Sequence, residues 1–270
     1  MIIIGEKING AIPAVKTAIA ARDDSVIRDR VRKQVAAGAD YLDCAASTEP
    51  SLEYDAMCWL IDVIQDETDV PICIDSPNAR LLARILEEGR VRRPGMVNSV
   101  NEESDKCEII FPLIAGSDWN VLGLTCDEKG IPAQPELKLE IAKRIIDKAD
   151  RYGVARANVH IDPCVMALAT MPTSLDDFVA CIHAIHDYAP EVKVGGAISN
   201  ISFDMPARKF VNMACMAYAV QAGLDSAIMD PTSDNMQGIL YAAAALSGQD
   251  KGGRKYNRAY RQGKIGVKKV

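Results

Sequence analysis

The stretch that decides the fold is Lys193-Val194-Gly195-Gly196-Ala197-Ile198-Ser199-Asn200-Ile201-Ser202. It is an apolar run interrupted by two glycines, a pattern typical of a buried strand whose backbone another group approaches closely. We therefore predict a strand over residues 193–199, with the amide Asn200 at its exit. Similar short apolar runs recur along the chain and predict the remaining strands. They cover residues 2–5, 41–45, 71–76, 95–100, 119–126, 159–163 and 226–231.

Amphipathic stretches of helical length separate these runs, and a short extra helix is predicted over residues 14–21. Eight strands alternating with eight helices predict an α/β fold, a (β/α)8 TIM barrel that forms a single domain over residues 1–248. A dinucleotide-binding open sheet is disfavoured because Gly5-Glu6-Lys7-Ile8-Asn9-Gly10 does not match G-x-G-x-x-G. The predicted helices cover residues 25–37, 55–67, 78–88, 103–115, 135–152, 174–188, 206–222 and 234–246.

Charge is distributed unevenly along the chain. The formal net charge is -6, and residues 251–270 hold eight Lys and Arg and no acid, so residues 1–250 carry -14 (-6 minus +8). We predict a basic C-terminal extension over residues 249–270, either a solvated terminus or a segment that docks a partner. The acidic body disfavours binding to nucleic acid.

The N-terminus and the cysteines indicate a cytoplasmic protein. Met1 is followed by a short apolar run without a basic flank, which is not expected to be a signal peptide or a membrane span. Eight cysteines are scattered without a C-x-x-C pair, and free thiols in a reducing compartment explain them best. We predict no metal site.

Polar side chains are predicted at the carboxyl ends of the strands, where barrels of this kind carry their chemistry. Carboxylates and amides predominate there, and a flat heterocycle with an amidine-like edge, such as a pterin, would donate its N–H groups to them. His160, which shares a strand with Asp162, is interpreted as a packing residue rather than a metal ligand. The polar residues at the strand ends are Glu6, Asn9, Asp43, Asp75, Asn98, Thr125, Asp127, Asp162, Asn200 and Asp230.

Six motifs in order along the chain resemble those of the pterin-binding methyltransferases, over residues 2 to about 246. Within that family the chain looks like the methyltetrahydrofolate:corrinoid protein methyltransferases, and it is similar to the folate domain of cobalamin-dependent methionine synthase. The motifs are Ile3-Ile4-Gly5-Glu6-Lys7-Ile8-Asn9-Gly10, Ile74-Asp75-Ser76-Pro77-Asn78, Val97-Asn98-Ser99, Gly123-Leu124-Thr125, Ile161-Asp162-Pro163 and Ile198-Ser199-Asn200-Ile201-Ser202.

The resemblance implies a homodimeric enzyme that moves a methyl group between N5 of tetrahydrofolate and the cobalt of a corrinoid. Tetrahydrofolate or 5-methyltetrahydrofolate would be its substrate, and the transfer could run in either direction. The chain lacks the Asp-x-His-x-x-Gly signature of corrinoid carriers. The corrinoid (cobalamin) is therefore expected to arrive on a partner protein.

The resemblance also implies roles for individual residues. Asp75, Asn98 and Asp162 would hold the pterin edge, Asn200 would hydrogen-bond near N5 as the catalytic residue, and Arg208 would meet the folate tail or organise its loop.

We expect Glu6, Asp43 and Ser199 to contribute to substrate binding at the same mouth. The chain departs from the family pattern in Asp43-Cys44-Ala45, where the family often has Asp-Leu-Asn, and in Phe203, which replaces a polar residue.

Two alternatives stay open at this point. A dihydropteroate synthase-like enzyme would share the pterin pocket, but it should carry an Asn-x-Thr-x-Asp-Ser-Phe loop where this chain has Ile8-Asn9-Gly10-Ala11. A non-catalytic pterin-binding subunit of a corrinoid complex would need no equivalent of Asn200.

Overall fold

The computed structural model describes residues 1–266 and contains one sheet of eight parallel strands. From β1 to β7 each strand pairs with the next along the chain, and β1 also pairs with β8. Helices cover the outside of this sheet, so the predicted (β/α)8 TIM barrel is confirmed. The strands are β1 (Ile2–Asn9), β2 (Tyr41–Ala45), β3 (Ile72–Asp75), β4 (Met96–Glu102), β5 (Asn120–Asp127), β6 (Val159–Asp162), β7 (Lys193–Val194) and β8 (Ser226–Met229).

The barrel closes between β7 and β8, largely through residues that follow β7. Asp225 N donates to Val194 O at 2.9 Å, and Ile228 N donates to Gly196 O at 3.0 Å. Ala197 then pairs in parallel with Ile228. The final seam is therefore held by a few backbone hydrogen bonds rather than by a long ladder.

The predicted strand over residues 193–199 is wrong in its length. Regular strand geometry ends at Val194, and Ile198–Ser202 forms a short 3-10 helix that carries Asn200. The apolar character of this stretch reflects burial, because Ile198 and Ile201 pack into the core from the 3-10 helix. Periodicity alone does not separate a buried strand from a buried turn of helix.

The two glycines of this stretch serve packing. A Cβ on Gly195 would lie 2.5 Å from Ser226 Oγ, and one on Gly196 would lie 3.0 Å from Phe178 Cζ. The first contact is with a neighbouring strand, and the second is with the helix layer outside the sheet. The close packing of the barrel wall therefore requires small residues at both positions.

The predicted helices are all present, with shifts at some ends. The helix predicted from residue 55 begins at Pro50, because proline fits the first turn of a helix, where its missing N–H is not needed. The one predicted from residue 206 begins at Arg208. The helices are α1 (Pro13–Ala21), α2 (Asp24–Ala36), α3 (Pro50–Glu67), α4 (Ala79–Glu87), α5 (Lys106–Ile114), α6 (Pro135–Tyr152), α7 (Ser174–Tyr188), α8 (Arg208–Ala222), α9 (Asp234–Leu246) and α10 (Arg254–Arg261).

The basic segment after α9 is partly helical. Its helix α10 packs on α9, and Ala259 is buried in that contact. Asp250 precedes it and accepts hydrogen bonds from the backbone N–H groups of Lys255 and Tyr256. Residues 267–270 of the predicted extension lie outside the described residues, and the boundary near residue 248 stays a prediction.

Among the helices of residues 1–266, none has both the length and the apolar character needed to cross a membrane.

Replacing Gly195 tests the packing of the seam. Gly195→Ala places a methyl group against Ser226 Oγ, and we expect it to lower the free energy of unfolding by about 1–3 kcal/mol through overpacking. Urea denaturation measures the change.

Gly238→Ala is the matched control, because a Cβ at that position on α9 would meet no atom within 4 Å. It should raise stability by about 0.4–1 kcal/mol, since alanine restricts the unfolded chain more than glycine does. Equal effects of the two substitutions would contradict the packing role of Gly195.

Candidate active site

A cavity of about 830 Å³ opens at the carboxyl ends of the strands. Small-molecule sites commonly measure about 300–1,000 Å³, so it can hold a ligand of the size of a folate ring system. The structure brings together every site residue predicted from the sequence. Those that line the cavity are Glu6, Asp43, Asp75, Asn98, Asp162, Ser199, Asn200 and Arg208.

Two neighbouring carboxylates lie on one side of this cavity, at the ends of β2 and β3. Asp43 is buried, and burial together with the charge of Glu6 raises its pKa to about 6. Hydrogen bonds from Cys73 and Asn98 partly offset this rise, because they favour the ionised carboxylate. The pKa of Asp75 is raised well above its ordinary value by burial and by the charges of Asp43 and Glu53. Asp43 has hydrogen-bond donors within the protein, whereas Asp75 needs a donor or a positive charge that a ligand can supply.

A third carboxylate, Asp162, lies on the far side of the cavity at the end of β6. It is 4% exposed, and its Oδ1 accepts a hydrogen bond from Cys164 N at 2.7 Å. Burial raises its pKa to about 6, although the backbone N–H groups of Cys164 and Ala197 and the charge of Lys138 oppose this shift. Asp162 is thus a buried acceptor held in place by its own loop.

The two amides of the site come from different kinds of structure. Asn98 lies on β4, and its Nδ2 donates to Asp43 Oδ1 at 3.3 Å, which orients the amide toward the carboxylates. Asn200 lies on the 3-10 helix Ile198–Ser202, whose fold is fixed by a hydrogen bond from Asn200 N to Ala197 O at 3.1 Å. Asn98 therefore belongs to the sheet, whereas Asn200 belongs to a connecting segment.

Arg208 organises this connecting segment. Its Nη2 donates to Ser199 O at 2.8 Å, its Nε donates to Ser202 Oγ at 2.9 Å, and its guanidinium lies 4.7 Å from the ring centre of Phe203. These contacts hold the turn that carries Asn200. Of the two roles that the sequence left open for Arg208, the contacts support the organising one.

Lys7 also lines the cavity, although sequence reasoning assigned almost no cation to it. Its Nζ lies 3.0 Å from Asp230 Oδ2. The pairing of β1 with β2 is irregular between Gly5 and Ile8, so the consecutive residues Glu6 and Lys7 both reach the cavity. Strict alternation would have turned one of them away, and a strand irregularity leaves no sequence signal of its own here.

Two polar residues predicted near the mouth, Thr125 and Asp127, do not line the cavity, and neither does His160. Thr125 is buried beneath the mouth, and Asp127 pairs with Arg144 of α6 at 3.4 Å. His160 is buried and bonds Ser226 Oγ at 2.8 Å; burial and the charge of Lys193 lower its pKa to about 3, which keeps the ring neutral. The interpretation of His160 as a packing residue agrees with these contacts.

The donor and acceptor groups of the cavity fit the edge of a pterin. Its heterocycle presents ring N–H and NH2 donors in parallel, and buried carboxylates accept such donors while an amide can both donate and accept. Asp75, Asp162 and Asn98 provide these groups around the cavity. Within residues 1–266, no group of three or more His, Cys, Asp or Glu side chains is arranged to hold a metal ion.

Comparison with known proteins gives the class of the chain. The sequence profile of a family described as pterin binding enzyme matches residues 14–230. This match spans most of the barrel, so the chain belongs to the pterin-binding enzyme family.

Two individual relatives indicate which members of this family the chain is similar to. The methylcorrinoid:tetrahydrofolate methyltransferase of Eubacterium limosum is 44% identical over 268 residues, which cover 98% of each chain. The methionine synthase of Mycobacterium tuberculosis (strain ATCC 25618 / H37Rv) is 31% identical over 244 residues, which cover 85% of this chain but 20% of that protein. The chain therefore matches the first relative over its full length and the second over one part.

Solved structures of dihydropteroate synthases share the architecture. The enzyme from Vibrio fischeri ES114 superposes with a TM-score of 0.67 at 17% identity, over 92% of this chain and 93% of that one. The enzyme from Coxiella burnetii in complex with pteroic acid gives 0.64 at 15% identity, over 91% and 93%. At such identities the similarity shows the fold alone.

The buried carboxylates should make stability depend on pH. The pKa of Asp43 is about 6 in the folded protein against 3.8 in its ordinary state, so the folded protein binds more protons between these values. The contribution of Asp43 to the free energy of unfolding should therefore fall as pH rises from about 4 to about 6 and then level off. Asp43→Asn should flatten this slope and raise the stability at pH 7 by about 1–3 kcal/mol, as measured by urea denaturation across pH.

The control is Asp66→Asn, because the Asp66 carboxylate is half exposed and pairs with Arg92 at 2.9 Å on the surface. That substitution should leave the slope unchanged. If Asp43→Asn kept the slope of the unsubstituted protein, the proposed cost of burying the Asp43 carboxylate would be wrong.

Proposed function

We infer that this protein is a methyltransferase that moves a methyl group between N5 of tetrahydrofolate and the cobalt of a corrinoid carried by a partner protein. The observation that carries this inference is the 44% identity to a methylcorrinoid:tetrahydrofolate methyltransferase over 98% of both chains. The acidic cavity at the barrel mouth supplies the matching chemistry for a pterin. Dihydropteroate synthase, the nearest alternative, has only the shared fold in its favour.

We further propose that the methyl group moves from the methylated corrinoid to tetrahydrofolate, the order that the name of this relative gives. In that direction N5 uses its electron pair to form the bond to the methyl carbon, the cobalt–carbon bond breaks with both electrons left on cobalt, and the N5 proton is released. The corrinoid supplies the activated methyl group. The chain itself has to hold the pterin and stabilise N5.

In this proposal the sheet holds the pterin ring. Asp75 and Asp162 accept the N–H donors of the pterin edge, and Asn98 bonds the neighbouring ring atoms. Two observations support these assignments: the three residues line one cavity, and burial leaves the carboxylates in need of hydrogen-bond donors. Asp43 supports Asn98 through the 3.3 Å hydrogen bond and is not required to touch the ligand.

Asn200 is proposed to act at N5. An amide has no proton to give or take at neutral pH, but its oxygen can accept a hydrogen bond from N5–H, and its NH2 group can donate one to the N5 electron pair. A hydrogen bond that strengthens as charge changes on N5 lowers the barrier. Ser199 and Arg208 hold the turn on which Asn200 lies.

The rim of the cavity suits a large apolar partner group. Ile131 and Phe203 line the cavity and are 44% and 47% exposed. They lie beside the acidic interior, so a corrinoid ring presented by its carrier protein can cover the mouth while the pterin occupies the floor. The basic segment of residues 249–266 is proposed to be a separate extension of the barrel that is available for docking the carrier.

We also propose a cytoplasmic homodimer. The eight cysteines are free thiols, which suits a reducing compartment. The outer face of α8 exposes Phe210 and Tyr218, and Leu246 is exposed at the end of α9. Large apolar side chains exposed in this number on neighbouring helices suit an association site. Sedimentation equilibrium of the purified protein tests the dimer.

The proposed reaction is tested with tetrahydrofolate and methylcobalamin as the probe for a methylated carrier. The absorbance change that accompanies loss of the cobalt–carbon bond and the appearance of 5-methyltetrahydrofolate should occur together, in equal amounts, only when the protein is present. If the protein bound tetrahydrofolate but formed no product, either with methylcobalamin or with a methylated carrier protein, it would be a non-catalytic pterin-binding subunit instead.

Asn200→Ala should lower the rate of methyl transfer on bound tetrahydrofolate by about 10²–10³-fold, the usual effect of removing one transition-state hydrogen bond. Affinity for tetrahydrofolate should change little, because the ring contacts remain. Single-turnover kinetics and calorimetric titration separate the two quantities.

Asp75→Ala is the contrasting variant, because it removes a contact to the ring and should chiefly weaken the binding of tetrahydrofolate. Asn235→Ala, at an exposed position on α9, is the neutral control. If Asn200→Ala weakened binding and left transfer on bound substrate intact, Asn200 would be a binding residue only.

A further inference from the structure

A buried lysine lies behind the candidate active site. Lys138 belongs to the first turns of α6 and is 2% exposed, among the most deeply buried side chains of the molecule. Within residues 1–266 it has no carboxylate at ion-pair distance, and it does not line the cavity. A buried ammonium is costly unless nearby groups compensate it, so its surroundings require an explanation.

The surroundings of Lys138 lead directly to Asp162. Lys138 Nζ donates a hydrogen bond to Cys164 O at 2.9 Å, and Cys164 N donates one to Asp162 Oδ1 at 2.7 Å. The backbone of Cys164 is thus held at both ends, on one side by the lysine and on the other by the carboxylate of the site. These two bonds join α6 to the loop that follows β6.

Cys164 has a backbone conformation that needs such support. Its φ is +53°, in the left-handed region that side chains other than glycine rarely adopt. Residues in such conformations persist where the surrounding contacts hold them, and they concentrate at functional sites. The contact from Lys138 therefore fixes the loop in the form that turns the Cys164 N–H toward Asp162.

Lys138 is also the charged group that opposes the effect of burial on Asp162. The backbone N–H groups of Cys164 and Ala197, which are neutral, oppose it more strongly than Lys138 does. On β5, Thr125 and Cys126 face Cys164, and on α7 Cys181 faces Lys138. The positive charge near this carboxylate thus comes from α6.

We propose that Lys138 is a positioning residue for tetrahydrofolate binding, which orients Asp162 through the backbone of Cys164 and supplies the positive charge that keeps this carboxylate an acceptor. This inference rests on the proposed function, in which Asp162 accepts a hydrogen bond from the pterin edge. Lys138 itself touches no ligand. Its effect should be seen in how binding depends on pH, which a purely structural lysine would not change.

The test compares Lys138→Met with the unsubstituted protein by calorimetric titration of tetrahydrofolate from pH 5 to 9. Binding should strengthen with rising pH, because an ionised Asp162 accepts the ring donors better. Removing the positive charge should move the midpoint of this dependence upward, because a nearby positive charge favours the ionised form of a carboxylate. Affinity lost at neutral pH should therefore return at alkaline pH.

Lys148→Met is the matched control, because Lys148 lies on the same helix and pairs with Glu102 and Glu108 at 2.8 and 2.9 Å, away from the cavity. It should leave the midpoint unchanged. Lys138→Gln keeps a donor for the Cys164 carbonyl without the charge, so it gives the same test if the methionine variant does not fold. In an Asp162→Asn background, Lys138→Met should move the midpoint no further.

The outcomes separate this inference from the proposed function. The role of Lys138 would be overturned if Lys138→Met or Lys138→Gln bound tetrahydrofolate with the same pH midpoint as the unsubstituted protein. It would also be overturned if the substitution lowered affinity equally at every pH. Either result would leave the proposed function intact. If the unsubstituted protein did not bind tetrahydrofolate at all, the proposed function would fail, and the inference with it.

Discussion

The withdrawal of carboxyl groups from water is the constraint on which this structure depends. Asp43, Asp75 and Asp162 lie on three strands of one barrel and line the cavity at its mouth, and burial raises the pKa of each. Taking a carboxylate out of water is unfavourable unless donors replace the water. The ligand-free protein supplies only part of these donors, so the site selects a ligand that brings its own N–H groups. A pterin does so, whereas a phosphate or a carboxylate would be repelled.

This constraint also explains the arrangement of the cations. Lys7 lies in the cavity beside Asp230, Arg208 lies in the turn beside Phe203, and Lys138 lies behind the loop of Asp162. Arg208 bonds the backbone of its turn, and Lys138 bonds the backbone of the loop. Positive charge is therefore kept near the acids, and among the described residues none of these three cations forms an ion pair with Asp75 or Asp162. The acceptor atoms of Asp75 and Asp162 remain available to the substrate.

The sequence predicted the barrel and the membership of the site but not its local geometry. Alternating apolar runs and amphipathic stretches determine the order of strands and helices, and strand ends in a barrel must meet at one mouth, so Asp75, Asn98 and Asp162 could be placed together. The exceptions have physical causes. The irregular pairing of β1 brings Lys7 into the cavity, the 3-10 helix replaces the second half of the predicted strand before Asn200, and Lys138 is hidden in an ordinary amphipathic helix. Each depends on contacts between segments distant in sequence.

The short β7 strand has a consequence for how such an enzyme can diverge. The residues proposed to recognise the ring lie on or at the ends of strands within the hydrogen-bonded sheet, whereas Asn200 lies on a single turn after only two residues of strand. A change in that turn need not disturb the register of any long strand pair. Relatives built on this barrel can thus keep one heterocycle while altering what is done to it, because the residues proposed for recognition and the residue proposed for reaction lie in separately mutable parts of the chain.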